Sequence, residues 1–446
     1  MSSPIFEFAR RYADSGVSRF HMPGHKGQVL HGLEPCDLTE IKGADYLYEP
    51  EGIIARSEEN AAELFGTART LYSTEGSSLC IKTMLAIAHR CRKDHSRRML
   101  VMAPRNVHKA FINACILLDI DVRWVYPAAG SRSLCSSGFT VEDMVRTLFA
   151  CPYKPDAVYV TSPDYLGNIA DIPALSGFCR ERDIPLIVDN AHGAYLRFLD
   201  EDIHPITLGA DMCCDSAHKT LPCYTGGALL HISKNAPEGY GECAKNVMSL
   251  FASTSPSYLI MESIDLCMDM IGKDYRQRLA ECVSRTELCK QRLNSAGWKT
   301  VGGEKCKITI AAAECGMNGD ELGDRMREAF IEPEYTDPQY TVLMTTPFNS
   351  EEDYTRLEKL MTEIPAGKGE RAIPDILPEA VVSMPIRKAA FSPSREVDVE
   401  DAEGLVCGLT VTSCQPSVPA VISGEVITAD IIKILKRYGV LRVSVL

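Results

Sequence analysis

The segment best equipped for chemistry is Pro185-Leu186-Ile187-Val188-Asp189-Asn190-Ala191-His192-Gly193, where an apolar run leads straight into an acid, a small residue and an imidazole. If the run is a strand, all three stand at its carboxyl end, the place where α/β sheets collect their ligands. Lys219 follows thirty residues after Asp189, inside Asp215-Ser216-Ala217-His218-Lys219-Thr220 and among small polar residues. A strand-end acid followed by such a lysine points to pyridoxal phosphate: the amine forms a Schiff base with the aldehyde, and a carboxylate pairs with the protonated ring nitrogen.

Each part of that chemistry has a physical requirement. The ring draws electrons only while its nitrogen stays protonated, and a buried carboxylate beside it raises that nitrogen's pKa. Asp189 is the candidate. The phosphate needs hydrogen-bond donors and a helix amino terminus. Thr74-Glu75-Gly76-Ser77-Ser78, ahead of a helical run over 79–91, offers backbone N–H groups, hydroxyls and a glycine that permits close approach. The ring must be sandwiched, for which His108 in Arg105-Asn106-Val107-His108-Lys109 suits one face and Ala191 the other. Taken singly, each has a plain alternative: Asp189 as a turn residue, the Gly76 segment as a helix cap, His108 as a core histidine, Lys219 as a surface lysine. Their order along about 145 residues of alternating α/β pattern is what gives them joint weight.

These residues need a frame. Short β-rich runs at 99–102, 122–126, 157–161, 185–188 and 227–232 alternate with helix-like segments at 107–118, 141–150 and 173–183, the pattern of a mostly parallel α/β domain. Beyond Pro256, Tyr275, Leu279, Cys282, Cys289 and Leu293 recur at helical spacing and Gly297 marks a stop, which predicts one long amphipathic helix. A strand over 307–312, a helix over 319–330 and a strand over 341–345 predict a second, smaller α/β domain. Residues 365–378 read as a linker, and 427–446 close a third small unit. The expected division is therefore 1–270, 271–364 and 365–446.

Composition narrows the function. The 446 residues carry 60 acids against 47 lysines and arginines, a net charge of −13, so nucleic acid is not an expected partner. No run of about 18 apolar residues occurs and the amino terminus lacks the apolar core of a signal peptide, so neither a membrane span nor secretion is expected. The 18 cysteines include no C-x-x-C pair of metal-site spacing; they read as reduced core residues of a cytoplasmic protein, and no metal is expected.

Longer motifs carry a resemblance. Arg19-Phe20-His21-Met22-Pro23-Gly24-His25-Lys26-Gly27, Asp37-Leu38-Thr39-Glu40, Glu58 with Asn60-Ala61-Ala62, Phe65-Gly66, Ser162-Pro163 with Tyr165 and Gly167, Asp189 to Gly193, Ser216-Ala217-His218-Lys219-Thr220-Leu221-Pro222, and Thr254-Ser255-Pro256-Ser257-Tyr258 run along nearly the whole chain. Together they resemble the bacterial ornithine/lysine/arginine decarboxylases, fold type I pyridoxal-phosphate enzymes. The chain is similar to the short form, which lacks the receiver-like wing of the long relatives, so rings built through that wing are not expected.

The resemblance implies a fold type I large domain, Lys219 as the attachment lysine, Asp189 on the ring nitrogen and His108 stacked on the ring. It further implies Gly76, Ser77, Ser78, Ser216 and His218 around the phosphate, and His192 near the reacting centre. It implies a homodimer in which Thr254 and Ser255 serve the neighbouring subunit's cofactor, and a reaction that turns arginine, lysine or ornithine into its amine. The cationic substrate would need an acidic wall, for which Glu332, Glu334 and Asp337 are the candidates; a typical polar loop is the favoured reading for at least two of the three, and Glu332 is the one kept as a substrate contact. An aminotransferase or lyase of the same fold, and a pyridoxal-phosphate-binding homologue without activity, remain alternatives.

Departures are visible too. Glu75-Gly76-Ser77-Ser78 stands where the family has Asn-Gly-Thr-Ser, and an acid beside a phosphate repels it unless its side chain points elsewhere. Met384-Pro385-Ile386-Arg387 and Gln415-Pro416-Ser417-Val418-Pro419, followed by Gly424-Glu425, differ from the family pattern in the part expected to shape substrate access.

Overall fold

The structure, a computed structural model, describes residues 2–128, 134–136, 138–369, 377–412 and 418–446. The chain forms two compact units, Met1–Asp94 with Asp156–Val158 and Ile172–Arg278, and His95–Pro155 with Tyr159–Asp171 and Leu279–Leu446. The first seven strands are β1 (Arg69–Ser73), β2 (Leu100–Pro104), β3 (Asp121–Val125), β4 (Ala157–Thr161), β5 (Leu186–Asp189), β6 (Met212–Asp215) and β7 (Ala228–Ile232). The helices among and around them are α1 (Pro4–Ala13), α2 (Ile53–Phe65), α3 (Gly76–Cys91), α4 (Lys109–Leu118), α5 (Val141–Phe149), α6 (Ile172–Arg180), α7 (Ala217–Thr220), α8 (Tyr240–Ser249), α9 (Tyr258–Ile271) and α10 (Tyr275–Ser295).

In the first unit the strands hydrogen-bond in the order β1-β7-β6-β5. β5 and β6 are parallel, with Asp189 opposite Cys214, while β7 runs antiparallel to both β6 and β1. Leu186, Ile187 and Val188 are fully buried, as strands covered on both faces require. The expected strands at 185–188 and 227–232 are β5 and β7; β1 and β6 join them. α3 begins at Gly76, three residues ahead of the expected run, because a backbone at φ +69 suits glycine and lets its N–H donate to the Gly226 carbonyl at 2.8 Å. Gly226 is itself constrained: at φ +98, a Cβ there would come within 2.9 Å of the Thr74 carbonyl oxygen. Elsewhere in this unit Asp265 of α9 accepts the backbone N–H groups of Ile5 and Phe6, at 2.9 and 3.1 Å, and so caps α1.

In the second unit β2 and β3 are parallel, with Leu100 opposite Asp121. His108 caps α4, and a Thr140–Asp143 capping box opens α5. The smaller sheet contains β8 (Thr300–Val301), β9 (Lys307–Ile310), β10 (Tyr335–Thr336) and β11 (Thr341–Met344) in the antiparallel order β10-β11-β9-β8. With α11 (Gly319–Glu328) and α12 (Glu351–Glu363) it encloses Trp298, Ile308, Ile310, Leu322, Met326 and Leu357. These elements match the small α/β pattern read at 307–345. The carboxyl-terminal region pairs Arg395–Asp398 with Arg442–Val445 around Val399, Cys407, Ile427, Leu435 and Val443. Of the expected linker 365–378, residues 370–376 lie outside the described residues, as do Gln415, Pro416 and Ser417.

The described cysteines are all free thiols, most of them buried, which agrees with the reading of reduced core residues. Among the described residues no helix is long and apolar enough to cross a membrane.

Candidate active site

β5 ends on Asp189, which is only 2% exposed and whose Oδ1 accepts the Ala191 N–H at 3.2 Å. A tight turn follows, closed by the Gly193 N–H donating to the Asn190 carbonyl at 2.8 Å, and it displays Ala191 and His192. β6, the parallel neighbour, ends on Asp215 and runs through Ser216 into the single turn α7, where the Lys219 N–H donates to the Ser216 carbonyl at 2.9 Å. The two strand ends therefore deliver their functional groups to one place. Lys219 Nζ lies 3.0 Å from His192 Nε2, so one proton can pass between amine and imidazole.

The residues expected to form a phosphate cup lie in the same unit. Ser77 and Ser78 lie in the first turn of α3, where backbone N–H groups point out of the helix end and, with the helix dipole, favour an anion. Ser216 Oγ donates to Ser77 Oγ at 2.8 Å, joining residues far apart in sequence. A Cβ built on Gly76 would meet nothing within 4 Å, so there is room above it. Glu75 does not crowd that room: its Oε1 accepts the Ser253 N–H at 2.8 Å. His218 donates to the Gly227 carbonyl through its backbone N–H (3.1 Å) and through Nδ1 (2.8 Å). Burial lowers the His218 pKa, against the opposing effect of the Gly227 bond. Gly226 and Gly227 thus bolt the cup to α7. Neither is among the site residues expected from the sequence, where Gly227 only opens the run 227–232, although a Gly-Gly pair before a strand is a recognisable sign of close backbone approach. Thr254 and Ser255 are exposed in the segment before α9, next to the Ser253 that Glu75 holds.

In the second unit His108 is half-buried, and its Nδ1 accepts the Ala110 N–H at 3.1 Å, which puts the proton of the neutral ring on Nε2. Its loop is fixed by Arg105, buried in a two-pronged pair with Glu425 (Nη1–Oε1 3.0 Å, Nη2–Oε2 3.2 Å) and lying over the Trp124 ring. Of the proposed acidic wall, Glu332 is exposed and accepts from Arg327 Nε at 2.9 Å, and Glu334 is exposed. Both line a cavity of about 350 Å³ with Phe330, Leu343 and Tyr354. Asp337 is occupied within its own turn, accepting from the Tyr335 hydroxyl and the N–H groups of Gln339 and Tyr340, each at 2.7 Å.

Pyridoxal phosphate fits this donor set. Serine hydroxyls and helix N–H groups converge below an open glycine, a buried acid ends β5, and a lysine amine stands beside an imidazole.

Comparison with known proteins agrees. The sequence profile described as "Orn/Lys/Arg decarboxylase, major domain" matches residues 3–352. An arginine decarboxylase of Bacillus subtilis (strain 168) is 28% identical over 462 residues, covering 96% of this chain and 92% of the relative. An arginine decarboxylase of Bacillus anthracis is 26% identical, covering 98% and 92%. The lysine decarboxylase of Francisella novicida superposes with a TM-score of 0.81 at 16% identity, covering all of this chain and 81% of the other; the constitutive lysine decarboxylase of E. coli gives 0.80 at 17%, covering 100% and 82%. At that identity the superpositions report the fold. It is the fold type I architecture expected from the sequence, and the Sphingomonas wittichii serine palmitoyltransferase shows it more distantly, with a TM-score of 0.57 at 12% identity, covering 81% of this chain and 83% of the other.

Proposed function

This chain belongs to the ornithine/lysine/arginine decarboxylase family and is a pyridoxal-phosphate-dependent decarboxylase of basic amino acids; we propose that its substrate is arginine. Four relatives named arginine decarboxylase, 26–28% identical over 94–98% of this chain, support that choice.

When bound, the cofactor supplies a protonated pyridine that accepts the electron pair left by departing carbon dioxide. The chain supplies the rest. Lys219 Nζ is the attachment point. Asp189, desolvated at the end of β5, keeps the ring nitrogen protonated by charge pairing. Ser77 and Ser78, through hydroxyls and backbone N–H groups, and Ser216 hold the phosphate, with Gly76 admitting it and His218 lying alongside. His108 and Ala191 flank the ring in this reading. The carbon that loses carbon dioxide takes a proton from Lys219 Nζ or His192 Nε2, and the 3.0 Å between them lets either recharge the other.

Glu332 is proposed to meet the substrate's guanidinium; its exposed pair with Arg327 is weak enough to exchange. A homodimer in the cytoplasm completes the proposal, with Thr254 and Ser255 serving the neighbouring subunit. The observation that carries the reading is the Lys219–His192 pair at the joined ends of β5 and β6. Purified protein with pyridoxal phosphate is incubated separately with arginine, lysine and ornithine, and the amine is identified. Agmatine from arginine supports the reading; cadaverine or putrescine as the main product, or a keto acid, overturns it.

A further inference from the structure

Beside the cofactor-facing groups lies a second polar cluster that the reaction does not use. Asp215, His204 and His231 are each 0% exposed, and Asp215 Oδ2 lies 3.1 Å from the Nε2 of both histidines. The other oxygen, Oδ1, accepts from Asn190 Nδ2 at 2.6 Å. His204 Nδ1 accepts the Ile206 N–H at 3.4 Å, which leaves its proton on Nε2, aimed at the carboxylate. A proton there makes the cluster hydrogen-bonded rather than metal-ligating, since a ligating nitrogen must be bare. His231 Nδ1 is bonded to Thr70 Oγ1 at 2.9 Å, and its ring packs 4.3 Å from that of Phe65. Burial opposes ionisation of Asp215, yet the two histidines hold its carboxyl well below the usual range, so it is charged and oriented.

Asn190 is the member that opens the turn bearing His192. It follows Asp189 and has a buried Oδ1 that finds no hydrogen-bond partner among the described residues. The bond to Asp215 therefore decides how its amide stands. That amide lies over Gly193, where a Cβ would fall 2.1 Å from Asn190 Oδ1. We propose that Asp215, clamped by His204 and His231, is a positioning residue that acts through Asn190 to set the turn bearing His192 and so the approach of His192 to Lys219.

The inference rests on the proposed roles of His192 and Lys219, and its test separates the two. In cofactor-free protein, hydrogen exchange of amides 190–193 is compared among wild type, Asn190→Ala, Asp215→Asn, Gly193→Ala and the Asn190→Ala/Asp215→Asn double variant. Each single change should speed exchange of that turn by about tenfold while β1 and β7 keep their protection, and the double variant should be no faster than the faster single. In the loaded enzyme kcat should fall about tenfold with KM within about threefold. Gly193→Ala reaches the same bond from the other side and keeps the test decisive if Asp215→Asn does not fold. Unchanged exchange, additive effects, or stoichiometric metal in wild type that Asp215→Asn loses would overturn the inference. A wild type without turnover would strike the proposed function and leave the exchange result to decide this one.

Discussion

Glu75, the residue just ahead of α3, holds the backbone N–H of Ser253 on its Oε1 at 2.8 Å. The acid that stands at the mouth of the phosphate cup is thereby engaged with the segment leading to Thr254 and Ser255. Glu75→Gln keeps an acceptor, so pyridoxal phosphate affinity should stay within about threefold of wild type. Glu75→Ala removes it, and affinity should weaken by about 1 kcal/mol, near fivefold. Titration of the visible absorbance measures both; tighter binding by Glu75→Ala would mean that the carboxylate repels the phosphate after all.

Asp189 should matter to rate far more than to folding. Asp189→Asn keeps the size of the side chain but removes the charge that sustains protonation of the ring nitrogen, so kcat should fall by about two orders of magnitude or more. Steady-state kinetics beside a melting curve checks this, and an unchanged kcat removes Asp189 from the reaction.

The Arg105–Glu425 pair makes a different prediction, because both side chains are buried. Glu425→Ala leaves the guanidinium desolvated and unpaired, which costs about 3–5 kcal/mol. Chemical denaturation should show that loss, and activity should drop with it because Arg105 anchors the loop of His108. A variant as stable as wild type would show that the pair contributes little.

Glu262 on α9 gives the fold a pH dependence. Burial, only partly offset by Arg10, pushes its carboxyl up to about 8. The folded state therefore binds this proton more tightly than the unfolded state, so the contribution is complete below about pH 4.5 and is lost as pH rises toward 8. Glu262→Gln should stabilise the protein by about 2 kcal/mol or more at pH 8 and hardly at all at pH 4.5. Denaturation at the two pH values tests the sign, and equal effects at both would refute it.

Much of the candidate site was legible in the sequence because its residues sit at strand ends. An apolar run that breaks into Asp189-Asn190-Ala191-His192 reads as a strand followed by a polar turn, and β5 does end on Asp189. The helical periods of α4 and α5 were equally plain. β1, Arg-Thr-Leu-Tyr-Ser, and β6, Met-Cys-Cys-Asp, are short and lack β-branched runs; their pairing with β7 makes them strands. The partnerships that hold the site rigid left no local trace. Arg105 meets Glu425 across 320 residues, and Asp215 gathers His204, His231 and Asn190 from separate elements. Only folding brings such polar groups together, since burial obliges each to find a partner and sequence spacing does not say which. Asp337 shows the converse: one of three acids offered as candidates for the substrate wall spends its oxygens on its own turn, as the polar-loop reading of that segment has it.

The central claim is that Lys219 carries the cofactor. Borohydride reduction of the loaded protein, followed by peptide mapping, addresses it directly. The account predicts a phosphopyridoxyl mass on the peptide containing Lys219 and loss of both label and turnover in Lys219→Ala. Label on another lysine, or turnover that survives the substitution, would contradict it.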